Sequence, residues 1–227
     1  MVPAVTPATL SLVMSGASLL IITASYLLGS IPSGYLLVRF VRKQDIRQVG
    51  SGNIGATNVL RSGSKGLGAA TFLLDMLKGC AAVWLGAIAA PLLMPASPMR
   101  NVEALAALCA VLGHMFPLWL RFRGGKGVAT GFGVFLVAAP WAALAAISVF
   151  FLVLYFTRYV SLASILGSAS FPVFAWILVK ADKPRFFVAV EATVALLIIL
   201  KHHQNIRRLL AGTESRFGAK TRTENPA

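Results

Sequence analysis

Charged residues are scarce in this chain of 227 residues: they make up 12% of it, whereas soluble proteins carry roughly 25%. Acidic residues are scarcest, with seven Asp and Glu against 21 Lys and Arg, so the formal net charge is +14. Hydrophobic residues reach 57%, and the mean hydropathy is +0.78. This composition excludes an ordinary soluble domain, and recurring apolar runs of bilayer length indicate a membrane protein.

The chain has two cysteines, Cys80 and Cys109, and both lie inside apolar segments. A thiol in apolar surroundings stays protonated and unreactive, so we expect both residues to serve packing. The sequence has no Cys-x-x-Cys pair, no cysteine–histidine cluster and no carboxylate cluster, and therefore predicts no metal site and no cofactor. It also lacks a basic face interleaved with aromatics, which argues against nucleic acid and leaves anionic lipid headgroups and anionic substrates as partners.

No basic residue precedes Arg39, so the positively charged start of a secretory signal peptide is missing. We interpret the apolar stretch at 10–38 as the first permanent span. Because the basic residues follow this span, the positive-inside rule predicts that the N-terminus is outside and the next loop is in the cytosol.

The segment 128–156 has two interpretations, because one helix of that length would exceed the roughly 30 Å bilayer core and Pro140 lies in its middle. Two short spans meeting near Pro140 place the basic C-terminal tail in the cytosol, whereas one span places it outside. We favour two, which predicts an all-α bundle of seven transmembrane helices with a cytosolic C-terminus; five or six spans stay open. The other predicted spans are 66–93, 103–120, 159–179 and 186–201.

This topology predicts one transmembrane domain over residues 1–212, followed by a flexible cytosolic tail at 213–227. It also brings four polar segments to the cytosolic face, and their convergence predicts a single site there. The four segments are 42–65, 121–130, 157–164 and 201–216.

The stretch from His114 to Thr130 is the most informative of the chain, because Gly124–Gly127 opens an apolar helix there. A glycine turn at a helix start offers free backbone N–H groups and the positive end of the helix dipole, which together favour a phosphate. Lys126 adds a mobile positive charge, and Thr130 adds a hydroxyl.

Three other residues of this stretch have a plain and a functional interpretation. Arg121 and Arg123 either join the anion site or only anchor the cytosolic side. His114 either makes an ordinary helix contact or serves as a proton acceptor or phosphate donor. The pattern is not a Walker A motif, because Gly127 follows Lys126, so nucleotide hydrolysis is unsupported.

The loop after the first span is dense in glycines and neutral hydrogen-bonding groups. Glycines let a backbone approach a ligand, and a guanidinium binds phosphate through two nitrogens, which favours a second part of the site here over an ordinary turn. The residues are Gly50, Ser51, Gly52, Asn53, Thr57, Asn58 and Arg61.

Two further clusters begin or end helices at the same face. Ser161 and Ser164 share a helix face near an N-terminus that favours anions, although Ser161 could equally be a cap. The segment after the last span resembles an interfacial helix, but its polar residues exceed what an anchor needs. Those residues are His202, Asn205, Arg208 and Glu214.

Asp75 and Lys78 lie three residues apart within a span, a spacing that predicts a self-neutralising structural pair. Glu191 is expected near the outer end of the last span, where it would reach the interface or find a partner.

Taken together, these motifs closely resemble the bacterial membrane glycerol-3-phosphate acyltransferases that use acyl phosphate as donor. The motifs run in the family's order and cover most of the chain. They are Gly29–Tyr35, Gly50–Asn58 with Arg61, His114–Thr130, Arg158–Ser164 and His202–Glu214.

The resemblance implies transfer of an acyl group from acyl phosphate to the sn-1 hydroxyl of glycerol 3-phosphate, giving lysophosphatidic acid and inorganic phosphate. It implies a seven-span protein of the bacterial inner membrane with a cytosolic active site. We expect catalytic roles for Ser51, Asn58, Arg61, His114, Lys126, Ser164 and His202. We expect substrate binding by Gly50, Gly52, Asn53, Thr57, Arg121, Arg123, Gly124, Gly125, Gly127, Thr130, Ser161, Asn205, Arg208 and Glu214.

An acyl phosphate is already activated, so such an enzyme needs no covalent nucleophile; it must hold two phosphates and stabilise an oxyanion. The hydroxyl proton would go to His114, to His202 or to the departing phosphate, and we favour the phosphate. Two rival functions are a transporter of organic phosphates and a non-enzymatic lipid-binding scaffold. Docking of the enzyme that produces the acyl phosphate stays open.

Overall fold

The computed structural model describes residues 16–93, 99–178 and 185–218, and all regular structure in these ranges is helical. The ten α-helices in these residues are α1 (Gly16–Ser30), α2 (Ser33–Arg42), α3 (Ala56–Arg61), α4 (Lys65–Leu93), α5 (Met99–Met115), α6 (Val128–Ala138), α7 (Pro140–Thr157), α8 (Val160–Leu178), α9 (Arg185–Lys201) and α10 (His203–Leu210).

Five helical segments of the described chain are long and apolar enough to cross a membrane: Ser18–Arg42, Lys65–Leu92, Met99–Leu120, Pro140–Thr157 and Val160–Leu178. Helices α9 and α10 pass the same test together, with a bend of 56° between them, which raises the number to six. Helix α6 is apolar, but its 11 residues extend only about 17 Å. An all-helical membrane protein is confirmed, while seven spans and the orientation of the termini stay predictions.

Two prolines interrupt the helices, and one of them, Pro140, lies where the sequence suggested a break. Pro32 lies between α1 and α2, and Pro140 occupies the first turn of α7, directly after α6. Proline lacks an N–H and fixes its φ angle, so it fits a helix start and disrupts a helix interior. The segment 128–156 is therefore two helices, of which α7, with 18 residues, is the one long enough to span alone.

Glycines let pairs of helices approach to backbone contact. Helix α1 packs on α5, and a Cβ on Gly29 would lie 2.1 Å from the carbonyl oxygen of Ala110. Helix α4 packs on α6 in the same way, since a Cβ on Gly133 would lie 2.0 Å from the carbonyl oxygen of Met76. Small residues at helix crossings are the usual means of association in membranes, and here they bring α1 against α5 and α4 against α6.

The buried charges of the spans follow two patterns. Lys78 Nζ lies 2.8 Å from a carboxylate oxygen of Asp75, which confirms the predicted pair. Glu191 differs from expectation, because it is fully buried in α9 and neither carboxyl oxygen has a hydrogen-bond partner among the described residues. Its helix packs on α5 and α8, and the side chain is enclosed, so it neither reaches the surface nor pairs with another described residue.

The crossing of α4 and α6 can be tested by adding one methyl group. We expect Gly133→Ala to destabilise the protein by roughly 1–3 kcal/mol, because the new Cβ forces two backbones apart. Gly66→Ala is the matched control, since nothing lies within 4 Å of its Cβ position. Thermal unfolding in detergent measures both variants, and equal midpoints would contradict the close approach.

Candidate active site

All four polar segments line one cavity at the same end of the bundle, called here the basic end. The cavity also receives side chains from α4 and α5. The polar residues lining it are Ser51, Asn53, Thr57, Asn58, Arg61, Asp75, His114, Lys126, Ser161, Ser164, His202, Asn205 and Glu214.

Asn58 organises the loop that forms one wall of the cavity. Its Oδ1 accepts a hydrogen bond of 2.9 Å from the backbone N–H of Ser51. Its Nδ2 donates to three carbonyl oxygens, those of Ile46, Val49 and Asn53. These bonds occupy its amide and shape the loop that presents Ser51; Asn58 lines the cavity, and its expected catalytic role stays a prediction.

Two glycines of this loop act through conformation. Gly50 and Gly52 have φ angles of 58° and 69°, in the left-handed region that favours glycine. A Cβ on Gly50 would lie 2.5 Å from Oδ1 of Asn58. They turn the chain around Asn58 and do not line the cavity, and their expected role in binding stays a prediction.

Lys126 projects from the glycine loop into the cavity. Its Nζ donates a hydrogen bond of 2.5 Å to Oδ1 of Asn205. Burial lowers the pKa of Lys126 to about 8; Glu214 opposes this shift, and the neighbouring Arg208 and Arg61 add to it. An anion entering the cavity would relieve this unfavourable environment, so Lys126 is placed to bind a phosphate.

The carboxylate of Glu214 is the centre of a hydrogen-bond network beside Lys126. Its Oε1 accepts from Ser161 Oγ at 2.8 Å and from Asn205 Nδ2 at 2.7 Å. Its Oε2 accepts from Arg208 Nε at 2.7 Å. Burial raises the pKa of Glu214, but these three bonds outweigh burial and hold it below its usual value. Arg208 thus acts through Glu214 and does not line the cavity itself.

The chain beyond Glu214 continues across the basic end. The Ser215 carbonyl lies 3.4 Å from an Arg61 nitrogen, and the backbone N–H of Phe217 donates to the Arg158 carbonyl at 2.6 Å. Residues 213–218 are therefore bound to the bundle, which shortens the segment expected to be flexible. The remainder of that segment, 219–227, lies outside the described residues.

Two further residues expected to be catalytic, His202 and Ser164, line the cavity, and each makes a hydrogen bond to a backbone carbonyl. Nδ1 of His202 lies 2.7 Å from the carbonyl oxygen of Ile198, so Nδ1 carries the proton of a neutral ring and Nε2 is left as an acceptor. The hydroxyl of Ser164 donates to the carbonyl of Val160, one turn earlier in α8, at 2.8 Å.

Five residues of the stretch 121–130 that were expected to bind substrate do not line the cavity. Arg121 and Arg123 are exposed, because backbone hydrogen bonds close a tight turn there and direct both side chains outward. Their position suits anchoring at the membrane surface. The other three lie behind the loop: Gly124 and Gly125 pack on the end of α5, and Thr130 is buried between helices.

Sequence reasoning missed Asp75 and an apolar groove. Asp75 was assigned to a structural pair, yet it lines the cavity with His114; a mid-span acid is itself a signal of function. The groove runs between α6, α7 and α8 and shares Val128, Phe150 and Ser164 with the cavity. Its signal in the sequence is a face of small residues on α8, formed by Ser164, Gly167 and Ser168.

Comparison with known proteins gives a consistent result. A family model described as glycerol-3-phosphate acyltransferase matches residues 19–212. The chain is 51% identical over 195 residues to the glycerol-3-phosphate acyltransferase of Nitrobacter winogradskyi, covering 86% of this chain and 93% of that protein. It is 47% identical over 197 residues to that of Agrobacterium fabrum, covering 86% of this chain and 89% of that protein.

Two crystal structures also match. Both are of PlsY, an integral membrane glycerol 3-phosphate acyltransferase. The glycerol 3-phosphate form has a TM-score of 0.79 at 40% identity, and the lysophosphatidic acid form has 0.77 at 39%. Each comparison covers 89% of this chain and 96% of the other.

The Glu214 network predicts a pH-dependent stability. In Glu214→Gln the amide NH₂ would face the Arg208 donor, so we expect a loss of roughly 1–3 kcal/mol at pH 7. Because the folded pKa is lowered, the carboxylate stabilises the fold above the unfolded value of 4.5, and this stabilisation is lost as the pH falls through the folded pKa.

Unfolding midpoints between pH 3 and pH 8 test this prediction. The difference between Glu214→Gln and the unmodified protein should shrink towards the acidic end. Ser215→Ala is the control, since it keeps the backbone carbonyl that faces Arg61. A difference that stays constant with pH would contradict the assignment.

Proposed function

Because the chain belongs to the glycerol-3-phosphate acyltransferase family, we propose that it transfers an acyl group from acyl phosphate to the sn-1 hydroxyl of glycerol 3-phosphate. The products are lysophosphatidic acid and inorganic phosphate. The hydroxyl oxygen forms the new ester bond to the acyl carbon, and the bond from that carbon to the phosphate oxygen breaks.

One observation carries this proposal: a cationic cavity opens into an apolar groove. Arg61, Lys126 and the serine hydroxyls suit phosphate groups, since cations and O–H donors are the natural partners of phosphate oxygens. The groove between α6, α7 and α8 suits an acyl chain. A donor with a phosphate joined directly to an acyl chain would occupy both regions at once.

The hydrogen bonds of the cavity favour direct transfer without a covalent enzyme intermediate. The Ser161 hydroxyl donates to Glu214 and the Ser164 hydroxyl to a backbone carbonyl, so neither is activated by a histidine. Neither cysteine lines the cavity. An acyl phosphate has a good leaving group, so positioning and charge stabilisation are sufficient.

The proton of the attacking hydroxyl requires an acceptor. Glu214 is occupied by three donors, and Asp75 is paired with Lys78, so the two carboxylates of the cavity are engaged. We place the proton on the departing phosphate, which gains basicity as the bond breaks. The free Nε2 of His202 would accept a hydrogen bond from the hydroxyl and orient it.

The charge distribution supports placing the basic end in the cytosol of a bacterial inner membrane. Loops rich in lysine and arginine are retained on the cytosolic side. A cytosolic site would receive glycerol 3-phosphate from solution and the donor from the membrane. The basic residues of the described loops at this end are Lys43, Arg47, Arg121, Arg123, Lys126, Arg158 and Arg216.

The donor class is tested with purified protein in lipid. Labelled glycerol 3-phosphate would be offered with palmitoyl phosphate, palmitoyl-CoA or palmitoylated carrier protein in separate reactions. We expect labelled lysophosphatidic acid with palmitoyl phosphate alone, because the thioesters have no phosphate joined directly to the acyl carbon, where the cations would bind it. Turnover with a thioester would contradict acyl phosphate as the required donor. If no donor gives a product although glycerol 3-phosphate binds, a transport function would be favoured.

The pKa of Lys126 predicts how KM for glycerol 3-phosphate depends on pH. Its pKa of about 8 means that the ammonium loses its charge as the pH rises from 7 to 9. If the charged form binds the substrate phosphate, KM for glycerol 3-phosphate should rise about tenfold over this range. In Lys126→Arg the charge persists, so KM should change little with pH. Equal slopes in both proteins would contradict the role of Lys126.

A further inference from the structure

We propose that Asp75 is a positioning residue for acyl transfer: its carboxylate holds the His114 ring against the glycine loop and thereby fixes the loop that receives the phosphate of glycerol 3-phosphate. The inference rests on the proposed function for the assignment of that loop to the phosphate. Asp75 itself is placed behind the loop, within α4.

A buried polar unit of three residues adjoins the cavity. The oxygen Oδ1 of Asp75 lies 2.8 Å from Nζ of Lys78 and 3.6 Å from Nδ1 of His114. The second distance is longer than a hydrogen bond, so it is an electrostatic contact between the carboxylate and the Nδ1–H of a neutral ring. The three side chains are at most 5% exposed, so the carboxylate and the ring are shielded from competing water.

His114 contacts the glycine loop through both its ring and its backbone. A Cβ on Gly125 would lie 2.1 Å from Nε2 of His114, so the ring lies directly against the loop backbone. The backbone N–H of Gly125 donates to the His114 carbonyl at 3.1 Å, and that of Gly124 donates to the Met115 carbonyl at 3.2 Å. Lys126 follows at once, so a rotated ring would displace the residue that binds the anion.

Lys78 connects the same unit to the helix break. Its Nζ donates a hydrogen bond of 2.7 Å to the carbonyl oxygen of Ile31, between α1 and α2. Proline disfavours the helical conformation for the residue before it, so this carbonyl lies outside both helices, where it also accepts from the backbone N–H of Ser33 at 3.0 Å. Lys78 thus contacts both the Asp75 carboxylate and the α1–α2 break, and the unit joins that break to the glycine loop.

The plain alternative is that Asp75 only neutralises Lys78. Neutralisation requires no contact with His114 and no place in the cavity wall, whereas Asp75 has both. A carboxylate facing Nδ1 also favours the ring tautomer with the proton on Nδ1, which leaves Nε2 unprotonated against the loop. The two explanations predict different KM values for a protein in which both Asp75 and Lys78 are replaced.

The experiment measures KM and kcat with palmitoyl phosphate for single and combined variants in lipid. We expect Asp75→Asn to raise KM for glycerol 3-phosphate about tenfold, with a smaller change in kcat and in KM for the donor. Asp75→Asn combined with Lys78→Met leaves no unpaired buried charge, and we expect KM to stay raised. In a His114→Leu background, Asp75→Asn should raise KM for glycerol 3-phosphate little further, because both substitutions remove the same interaction.

Two further variants complete the design. Glu191→Gln is the matched control, since it removes another fully buried carboxyl that does not line the cavity, and KM should not change. Lys126→Met tests the loop assignment separately and should raise KM for glycerol 3-phosphate.

Three results would overturn the inference. Recovery of the normal KM in the Asp75→Asn, Lys78→Met protein would show that Asp75 is only a counterion. Additive effects of Asp75→Asn and His114→Leu would show that Asp75 does not act through His114. An unchanged KM in Lys126→Met would refute the loop assignment of the proposed function, and the inference with it. If Asp75→Asn alone fails to fold, the combined variant decides.

Discussion

The carboxylate of Glu214 is the interaction on which the assembly of the site depends. It accepts hydrogen bonds from Ser161 at the start of α8 and from Asn205 and Arg208 of α10. The Oδ1 of Asn205 in turn accepts a hydrogen bond from Nζ of Lys126, which belongs to the glycine loop. Three segments distant in sequence are thereby held at one point, and each bond satisfies a polar group that would be costly to bury alone. The cavity forms where these segments meet.

Low charge content makes each buried charge informative about its surroundings. The pair of Asp75 and Lys78 is stabilised by mutual proximity, and Lys78 also donates to the Ile31 carbonyl at the break between α1 and α2. Glu191 has no such partner among the described residues and contacts no part of the cavity. An isolated carboxyl in such an environment is best accommodated in its neutral form. The contrast separates charges that organise the site from one that the helix packing merely encloses.

Sequence patterns predicted the helical membrane class, the break at Pro140 and the four segments that meet in the cavity, because composition, proline geometry and charge distribution act locally. They did not predict that Asn58 would be occupied by three carbonyls and one N–H, or that Arg121 and Arg123 would point outward, because hydrogen-bond direction depends on the folded loop. The anchoring of residues 213–218 also escaped prediction, since polar tails and polar contact segments have similar compositions.

Repulsion within the cation cluster explains why a carboxylate lies beside it. Arg61 and Arg208 lie close enough to lower the pKa of Lys126, so the positive charges disfavour one another. Glu214 offsets part of this repulsion, and its hydrogen bonds with Ser161, Asn205 and Arg208 hold the carboxylate in place at the cavity wall. Three donors occupy its oxygens, so its negative charge is partly compensated where an anion would approach Lys126. The resident carboxylate stabilises the folded site without displacing the anion that the cations are arranged to bind.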